Sequence, residues 1–159
     1  MEIRTGIGYD LHPLAKGESL VLGGVTIAYN RGTKGHSDGD VLTHAVVDAL
    51  LGAAGWGDIG KFFPSNDNAW QGVSSLLFLE KVAAELSNVG MNVVNVDCTV
   101  VLEEPKIGSY IDKMKGEIAR ILAMETHRIS IKATTTDGLG VIGRGEGVAA
   151  LAVATLKTS

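Results

Sequence analysis

The stretch of residues 92–135, NVVNVDCTVVLEEPKIGSYIDKMKGEIARILAMETHRISIKATT, decides the fold class. Asn92–Leu102 is rich in β-branched residues and predicts a strand, and Arg128–Thr135 alternates apolar and polar residues as a second strand. Between them, Lys106–Ala123 has helical spacing and follows directly after Pro105. A strand, a helix and a strand in this order are typical of an α/β domain.

The remaining segments extend this pattern in both directions. Strands are predicted at Ile3–Tyr9 and, as a pair with a tight turn, within Ser19–Tyr29, and helices at Asp40–Ala54 and Ser74–Val89. Val148–Leu156 fits a strand or a helix, because its run of Ala and Val contains too few polar residues to show a period. We therefore expect a single α/β domain of the α+β type over residues 1–159, with helices on one face of a mostly four-stranded mixed sheet.

Composition excludes several classes of protein. The chain has 159 residues, of which 45% are hydrophobic and 20% charged, and this profile rules out a disordered chain. Its formal net charge of −4 argues against a nucleic-acid partner, which usually requires a basic surface. No apolar run is long enough for a membrane span, Met1–Gly6 has no signal-peptide core, and Cys98 has no second cysteine to pair with. We expect a cytoplasmic protein without a membrane partner.

Two glycine motifs resemble nucleotide-binding loops but lack the context that such loops require. Gly138–Gly143 matches G-x-G-x-x-G, yet no acidic residue follows Gly147 to bind a ribose. Gly55–Lys61 matches G-x-x-x-x-G-K, but Phe62 stands where Ser or Thr would bind Mg²⁺. The first stretch is better explained as a loop that needs positive φ angles at several positions, and the second is rejected as a phosphate-binding loop.

The histidines provide the first chemical signal. Asp10 and His12 lie two residues apart at the end of a predicted strand, so both side chains point to one face. His44 lies inside a predicted helix, with Asp40 and Asp48 one turn to either side. Asp10, His12 and His44 would form a three-ligand site with an open position, as in catalytic zinc sites, and Asp40 and Asp48 would orient the histidines. The alternative is that all five are ordinary polar residues of the fold.

A second signal is the run of hydroxyls at the end of the last predicted strand before the glycine-rich turn. Thr134, Thr135 and Thr136 are followed by Asp137 and a glycine. Hydroxyls, a carboxylate and accessible backbone amides suit phosphate contact and Mg²⁺ coordination. Alone this signal is weak, because Thr is common in strands.

Taken together, these motifs resemble one family. His36–Gly52, HSDGDVLTHAVVDALLG, is similar to the signature of the 2-C-methyl-D-erythritol 2,4-cyclodiphosphate synthase family. Further matches follow in the family's order: Gly8–His12, Gly57–Gly60, Pro105-Lys106, Lys132–Thr136 and Gly143–Gly147. The set as a whole is highly specific.

The resemblance implies an enzyme of the non-mevalonate pathway of isoprenoid biosynthesis. Such a lyase converts 4-diphosphocytidyl-2-C-methyl-D-erythritol 2-phosphate into the 2,4-cyclodiphosphate and releases CMP. The resemblance also implies a homotrimer of α/β subunits, with each active site shared between neighbours. Asp10, His12 and His44 would bind zinc, and Asp137 would meet a Mg²⁺ that bridges the substrate phosphates.

The same resemblance assigns roles to individual residues. His36 and Thr135 would be the catalytic residues that stabilise the transition state. Residues 63–67 would form a mobile lid, and Val141 and Arg144 would lie near the threefold channel. The substrate-binding residues would be Asp10, Leu11, His12, His36, Ser37, Asp58, Ile59, Gly60, Phe63, Pro64, Ser65, Asn66, Asp67, Leu102, Glu103, Glu104, Pro105, Lys106, Ile107, Gly108, Thr134, Thr135, Thr136, Asp137, Val141 and Arg144.

The chain departs from the family pattern at three places. Asp137 stands where Glu is commoner, Val141 where the channel often presents an aromatic residue, and Glu103-Glu104 is more acidic than usual. We expect backbone contacts to hold the nucleotide beside that acidic pair. Two other functions use the same residues: a metal-dependent phosphohydrolase that activates water, and a non-catalytic oligomeric binding module whose histidines only stabilise the fold.

Overall fold

Seven strands and five helices make up the chain, and the structure, a computed structural model, describes residues 1–159. The strands are β1 Ile3–Lys16, β2 Leu20–Leu22, β3 Val25–Ile27, β4 Arg31–Thr33, β5 Met91–Val101, β6 Ile129–Thr134 and β7 Gly147–Thr158. The helices are α1 Val41–Ala54, α2 Ile59–Phe62, α3 Leu76–Asn88, α4 Ile111–Ile121 and α5 Gly140–Gly143.

The main sheet has five strands in the order β4-β1-β7-β5-β6, so the expected count of four was wrong. The additional strand is β4, which pairs with the end of β1 from Leu14↔Thr33 to Lys16↔Arg31 and whose three residues, Arg-Gly-Thr, include no apolar residue that would mark a strand. β5 and β6 are parallel and the other pairs antiparallel, which confirms the mixed sheet. The ambiguous segment at 148–156 belongs to β7, and β2 and β3 form a separate hairpin.

The first strand is longer than the sequence predicts, and this determines where the site lies. It continues past Tyr9 to Lys16, so Asp10 and His12 lie within the strand and not at its end. Its period of two puts Gly6, Gly8, Asp10 and His12 on one face. A Cβ atom at Gly8 would come 1.9 Å from the carbonyl oxygen of Ala45, so these glycines allow α1 to lie directly on β1.

The two faces of the sheet differ. Cross-strand partners such as Gly6, Ala154, Val96 and Ile129 share the face on which the helices pack, as predicted, and the core lies there. The opposite face exposes a strip of apolar side chains on β1 and β7: Ile7, Tyr9, Leu11, Leu151 and Val153. None of the helices combines the length and the apolar character needed to cross a membrane.

Candidate functional site

Asp10, His12 and His44 come together where α1 crosses β1. The carboxylate oxygen Oδ2 of Asp10 lies 3.0 Å from Nε2 of His12 and 2.9 Å from Nδ1 of His44. One ligand atom from each of the three residues lies within 4.8 Å of the other two. The side chains are 12–26% exposed, so the cluster is partly buried but reachable from solvent. The predicted three-residue cluster is therefore present.

The chemistry of this cluster fits a metal ion. Nδ1 of His12 lies 2.7 Å from the carbonyl oxygen of Lys34, which only accepts, so Nδ1 carries the hydrogen and the neutral ring turns the lone pair of Nε2 toward Asp10. A bare nitrogen beside a carboxylate requires a shared cation, either a proton or a metal. Two nitrogens and one oxygen with an open side are a donor set typical of zinc.

Without a metal, the contact with Asp10 favours the protonated form of His12. The hydrogen bond to Asp10 raises the pKa of His12 above its ordinary value, although burial opposes this shift. Burial by itself would raise the pKa of Asp10, but the hydrogen bonds and charges of the two histidines outweigh it, so the net shift of that pKa is well downward. The site therefore stabilises negative charge on Asp10 and positive charge beside it.

The outer edge of the His44 ring contacts Ser37, which was predicted to bind substrate, and Ser75, which the sequence did not single out. Its Nε2 lies 2.7 Å from the hydroxyl of Ser75 and 3.0 Å from that of Ser37. The Ser75 hydroxyl also donates to the carboxylate of Asp38. The sequence places Ser75 only at the start of a helix, where Ser usually serves as a cap, so the pattern hides this second role.

The prediction that Asp40 and Asp48 orient the histidines is wrong. Asp40 is the N-cap of α1 and fully buried, and its carboxylate accepts from the amides of Gly23, Gly24 and Thr43 at 2.8–2.9 Å. Asp48 accepts from the amide of Ile59 at 2.7 Å. Burial raises the pKa of both carboxyls. Their spacing placed them near His44 in the sequence, but Asp40, as the N-cap, turns back onto the start of α1, and Asp48 is bound to the amide of Ile59.

The turn at residues 58–60 is held against α1 through Asp48. Asp58 caps α2 by accepting from the amide of Lys61 at 2.9 Å, and it is exposed. Ile59, which is partly buried against the core, and Gly60, which is exposed, follow on the same turn. These three predicted substrate contacts are thus attached to α1 at Asp48, one helical turn from His44.

His36 contacts the segment predicted to be a lid. Its Nε2 lies 2.9 Å from the carbonyl oxygen of Asp67, and its own carbonyl accepts from the amide of Gly72 at 2.8 Å. The segment begins at Phe63, which is buried and stacks on Phe78 with ring centroids 4.4 Å apart. Pro64 is partly exposed, and Ser65, Asn66 and Asp67 are exposed.

The predicted nucleotide segments lie side by side at the end of β6. The amide of Leu102 donates to the carbonyl of Thr134 at 3.0 Å, and Leu102 and Ile107 point into the core. Glu103 accepts from the amide and hydroxyl of Thr136 at 2.7 and 3.0 Å, and these hydrogen bonds lower the pKa of Glu103. Glu104, Lys106 and Gly108 are exposed, and Pro105 is partly exposed.

Thr134, Thr135 and Asp137, on either side of the Thr136 that Glu103 holds, are exposed. The hydroxyl of Thr135 lies 3.4 Å from Oδ1 of Asp137, whose φ of +53° is left-handed. Asp is one of the few residues that tolerate this conformation. The carboxylate predicted to bind magnesium is therefore at a turn just past the strand.

The metal-type cluster and the threonine run lie apart in one chain. Asp10 pairs with Ala150, Ala150 with Val100, and Val100 with Ala133, so Asp10 and Ala133 lie on one line across the sheet. Three strand spacings separate them, about 14 Å. The structure therefore does not bring these two predicted groups into direct contact.

Val141 and Arg144 lie on the glycine-rich segment that precedes β7. Val141 is 45% exposed, and it lines a surface hollow with Leu11 and His12. The guanidinium of Arg144 forms a bidentate ion pair with the carboxylate of Glu146, at 3.1 and 3.2 Å. Positive φ angles at Gly138, Gly140 and Gly145 confirm that this stretch is a structural turn.

The chain is similar to known proteins over nearly its whole length. Residues 3–157 match the model of the YgbB family. A 2-C-methyl-D-erythritol 2,4-cyclodiphosphate synthase of Desulfatibacillum aliphaticivorans is 52% identical over 98% of this chain and all of its own length. One of Pelotomaculum thermopropionicum is 53% identical over 96% of this chain and 94% of its own.

Solved structures agree in fold. The bifunctional IspDF of Campylobacter jejuni has a TM-score of 0.95 and 41% identity over 99% of this chain, which spans 43% of that protein. IspF of Plasmodium falciparum, in complex with CDP, has a TM-score of 0.87 and 34% identity over 99% of this chain and 97% of its own. The chain therefore belongs to the YgbB family, together with the 2-C-methyl-D-erythritol 2,4-cyclodiphosphate synthases.

Proposed function

We propose that this chain converts 4-diphosphocytidyl-2-C-methyl-D-erythritol 2-phosphate to 2-C-methyl-D-erythritol 2,4-cyclodiphosphate with release of CMP. It would act as a phosphorus–oxygen lyase in non-mevalonate isoprenoid biosynthesis. The observation that carries this proposal is the convergence of Asp10, His12 and His44 in a chain of the YgbB family. Relatives matching nearly the whole chain bear the name of this synthase.

The reaction requires positioning more than acid–base chemistry. An oxygen of the 2-phosphate attacks the β-phosphorus and forms a new P–O bond, while the bond from the β-phosphorus to the bridging oxygen breaks and CMP leaves. The attacking oxygen is already ionised at neutral pH, so no strong general base is needed. Holding the two phosphates in line is worth roughly 7–11 kcal/mol.

Asp10, His12 and His44 would hold the zinc ion, and Asp137 would hold magnesium together with the substrate phosphates. Bound divalent cations supply positive charge that polarises phosphoryl oxygens and offsets the repulsion between phosphates. The fixed tautomer of His12 supports the first assignment, because it leaves a nitrogen lone pair facing Asp10. The exposed carboxylate of Asp137 beside Thr135 supports the second.

His36 and Thr135 are the proposed catalytic residues. The ring of His36 donates from Nε2 to the carbonyl of Asp67, and a doubly protonated ring would keep that bond while offering its Nδ1 hydrogen to a phosphate oxygen. Thr135 would donate its hydroxyl to the phosphates from the exposed end of β6.

The remaining substrate contacts are proposed according to which side chains reach the surface. The turn Asp58–Gly60 and Ser37 would hold the methylerythritol phosphate, and residues 64–67 would close over it as a lid hinged on the buried ring of Phe63. Residues 102–108 and 134–137 would bind the cytidine and its phosphates. Because Leu102 and Ile107 are buried, their share of this contact falls to backbone groups.

We further propose a homotrimer in which neighbours share each active site. The apolar strip formed by Ile7, Tyr9, Leu11, Leu151 and Val153 gives the sheet a face suited to packing against other copies. The separation of about 14 Å between the metal cluster and the threonine run also favours completion of each site by a neighbour. Val141 and Arg144 would then lie near the threefold axis.

Phosphorus NMR of the purified protein with the diphosphocytidyl substrate, Zn²⁺ and Mg²⁺ tests the function directly. The proposal predicts equal amounts of a cyclic diphosphate and CMP. Release of inorganic phosphate would identify a phosphohydrolase instead. No turnover, with chelation changing only thermal stability, would identify a binding module.

A further inference from the structure

We infer that Ser75 and Asp38 are positioning residues for the metal site, because together they hold His44 with its hydrogen on Nε2 and its Nδ1 lone pair turned toward Asp10. This inference rests on the proposed metal site. It adds Ser75 and Asp38, which the family resemblance did not assign to the metal site.

The carboxylate of Asp38 accepts hydrogen bonds at both of its oxygens. One oxygen accepts from the amide of Asp40 at 3.1 Å and the other from the amide of Ser75 at 3.0 Å. The hydroxyl of Ser75 makes a further short contact with the first oxygen. Since a carboxylate accepts hydrogen bonds, the hydroxyl hydrogen of Ser75 points to Asp38.

The direction of that bond fixes the next one. With its only hydrogen used, the Ser75 oxygen is left with lone pairs facing Nε2 of His44 at 2.7 Å. The Ser37 hydroxyl lies 3.0 Å from the same nitrogen, but even if it donated there, a bare Nε2 would set its lone pair against that of Ser75. We therefore assign the hydrogen to Nε2, so that the neutral ring is bare at Nδ1, which lies 2.9 Å from the Asp10 carboxylate. Asp38 thus determines, through Ser75, which nitrogen of His44 is free to bind a metal.

The start of α3 gives independent support for the role of Ser75. Ser75 occupies the N-cap position of α3 and is fully buried, yet its side chain makes no cap hydrogen bond. A serine at this position normally bonds to the first turn of its own helix. Here the hydroxyl is turned away from the helix toward His44 and Asp38, and the amide of Ser75 is also bound to Asp38.

His12 has an equivalent arrangement on the other side of the cluster. The carbonyl of Lys34 holds its Nδ1 as a donor, just as Ser75 holds Nε2 of His44. Both histidines therefore have their outer nitrogen fixed as a donor and their inner nitrogen directed at Asp10. Fixed tautomers of this kind raise the affinity of histidine sites for metal.

Substitution of Ser75 tests the inference, with the neighbouring exposed Ser74 as the matched control. Competition with a chromophoric chelator measures zinc affinity, and circular dichroism checks the fold. Ser75→Ala is expected to weaken zinc binding about 10- to 100-fold and to change the visible spectrum of the Co²⁺-substituted protein, while Ser74→Ala changes neither. Equal zinc affinity and equal Co²⁺ spectra in the two folded variants would overturn the inference.

A measurement on the unmodified chain does not depend on how Ser75→Ala folds. Long-range ¹H–¹⁵N correlation of the zinc-loaded protein reports which ring nitrogen of His44 carries hydrogen. The inference requires Nε2–H, and a hydrogen on Nδ1 would overturn it. Failure of the wild-type protein to bind zinc would overturn the metal site and this inference with it, whereas failure to form the cyclic diphosphate with both results intact would overturn only the proposed reaction.

Discussion

The metal corner, formed by Asp10, His12 and His44, and the strand end, formed by residues 134–137, are built very differently. The metal corner lies between β1 and α1, which touch directly at Gly6 and Gly8. Its two histidines have partners at both ring nitrogens. At the strand end Thr134, Thr135 and Asp137 are exposed.

This difference shows how the work is divided within one chain. Side chains held on packed elements are placed accurately before any ligand binds, whereas exposed loop residues gain order from what they bind. The metal corner is therefore preformed. In the proposed trimer, the substrate and the neighbouring subunit would complete the strand end.

Removing the metal corner is expected to have the largest effect. His44→Ala should reduce bound zinc well below one ion per chain and lower turnover at least about 1,000-fold, because in the proposed reaction a metal ion held there would stabilise the transition state by several kcal/mol. Metal analysis and phosphorus NMR measure both quantities. His127→Ala, at an exposed histidine, is the control. Full zinc occupancy in His44→Ala would contradict the assignment.

Thr135→Ala should separate the two regions. Loss of one donor to the reacting phosphates is expected to lower kcat about 100-fold, while zinc content stays at the wild-type value. Thr135→Ser keeps the hydroxyl and should retain most of the activity. If Thr135→Ala also lost zinc, the two regions would not be independent within one chain.

Asp137→Asn should change magnesium dependence alone. Asn tolerates the left-handed φ of +53° at this position, so the substitution removes charge while keeping the turn. We expect the Mg²⁺ concentration for half-maximal rate to rise about tenfold, equivalent to ~1.4 kcal/mol of binding energy. Asp112→Asn, at an exposed acid on α4, is the control. An unchanged Mg²⁺ requirement would leave Asp137 as a turn residue only.

Glu103→Ala is expected to have the smallest effect. Removing the acceptor for Thr136 and Gly138 loosens the strand end, so KM should rise about two- to tenfold with little change in kcat, since the turn must be ordered when substrate binds. Glu103→Gln retains an acceptor oxygen and should stay closer to wild type. Steady-state kinetics distinguish these results, and a large fall in kcat would point to direct contact with the reacting phosphates.

The sequence predicted the elements with strong periodicity and the residues of the metal corner. The i, i+2 spacing of Asp10 and His12 and the helical position of His44 made them candidates, because these spacings translate directly into side-chain direction, and the family resemblance then assigned them to the metal. Short β4 and the direction of Asp40 and Asp48 were not predictable in this way. They depend on contacts between distant segments, such as those of Asp40 with Gly23 and Gly24.

The central claim is that the metal corner of one subunit works with the strand end of its neighbour, and subunit mixing tests it most directly. His44→Ala and Thr135→Ala chains, each inactive alone, are refolded together and the cyclic diphosphate is measured. A shared-site trimer leaves one intact site in every mixed trimer, so about a quarter of wild-type activity should return. If both residues acted within the same chain, the mixture would be no more active than its separate components.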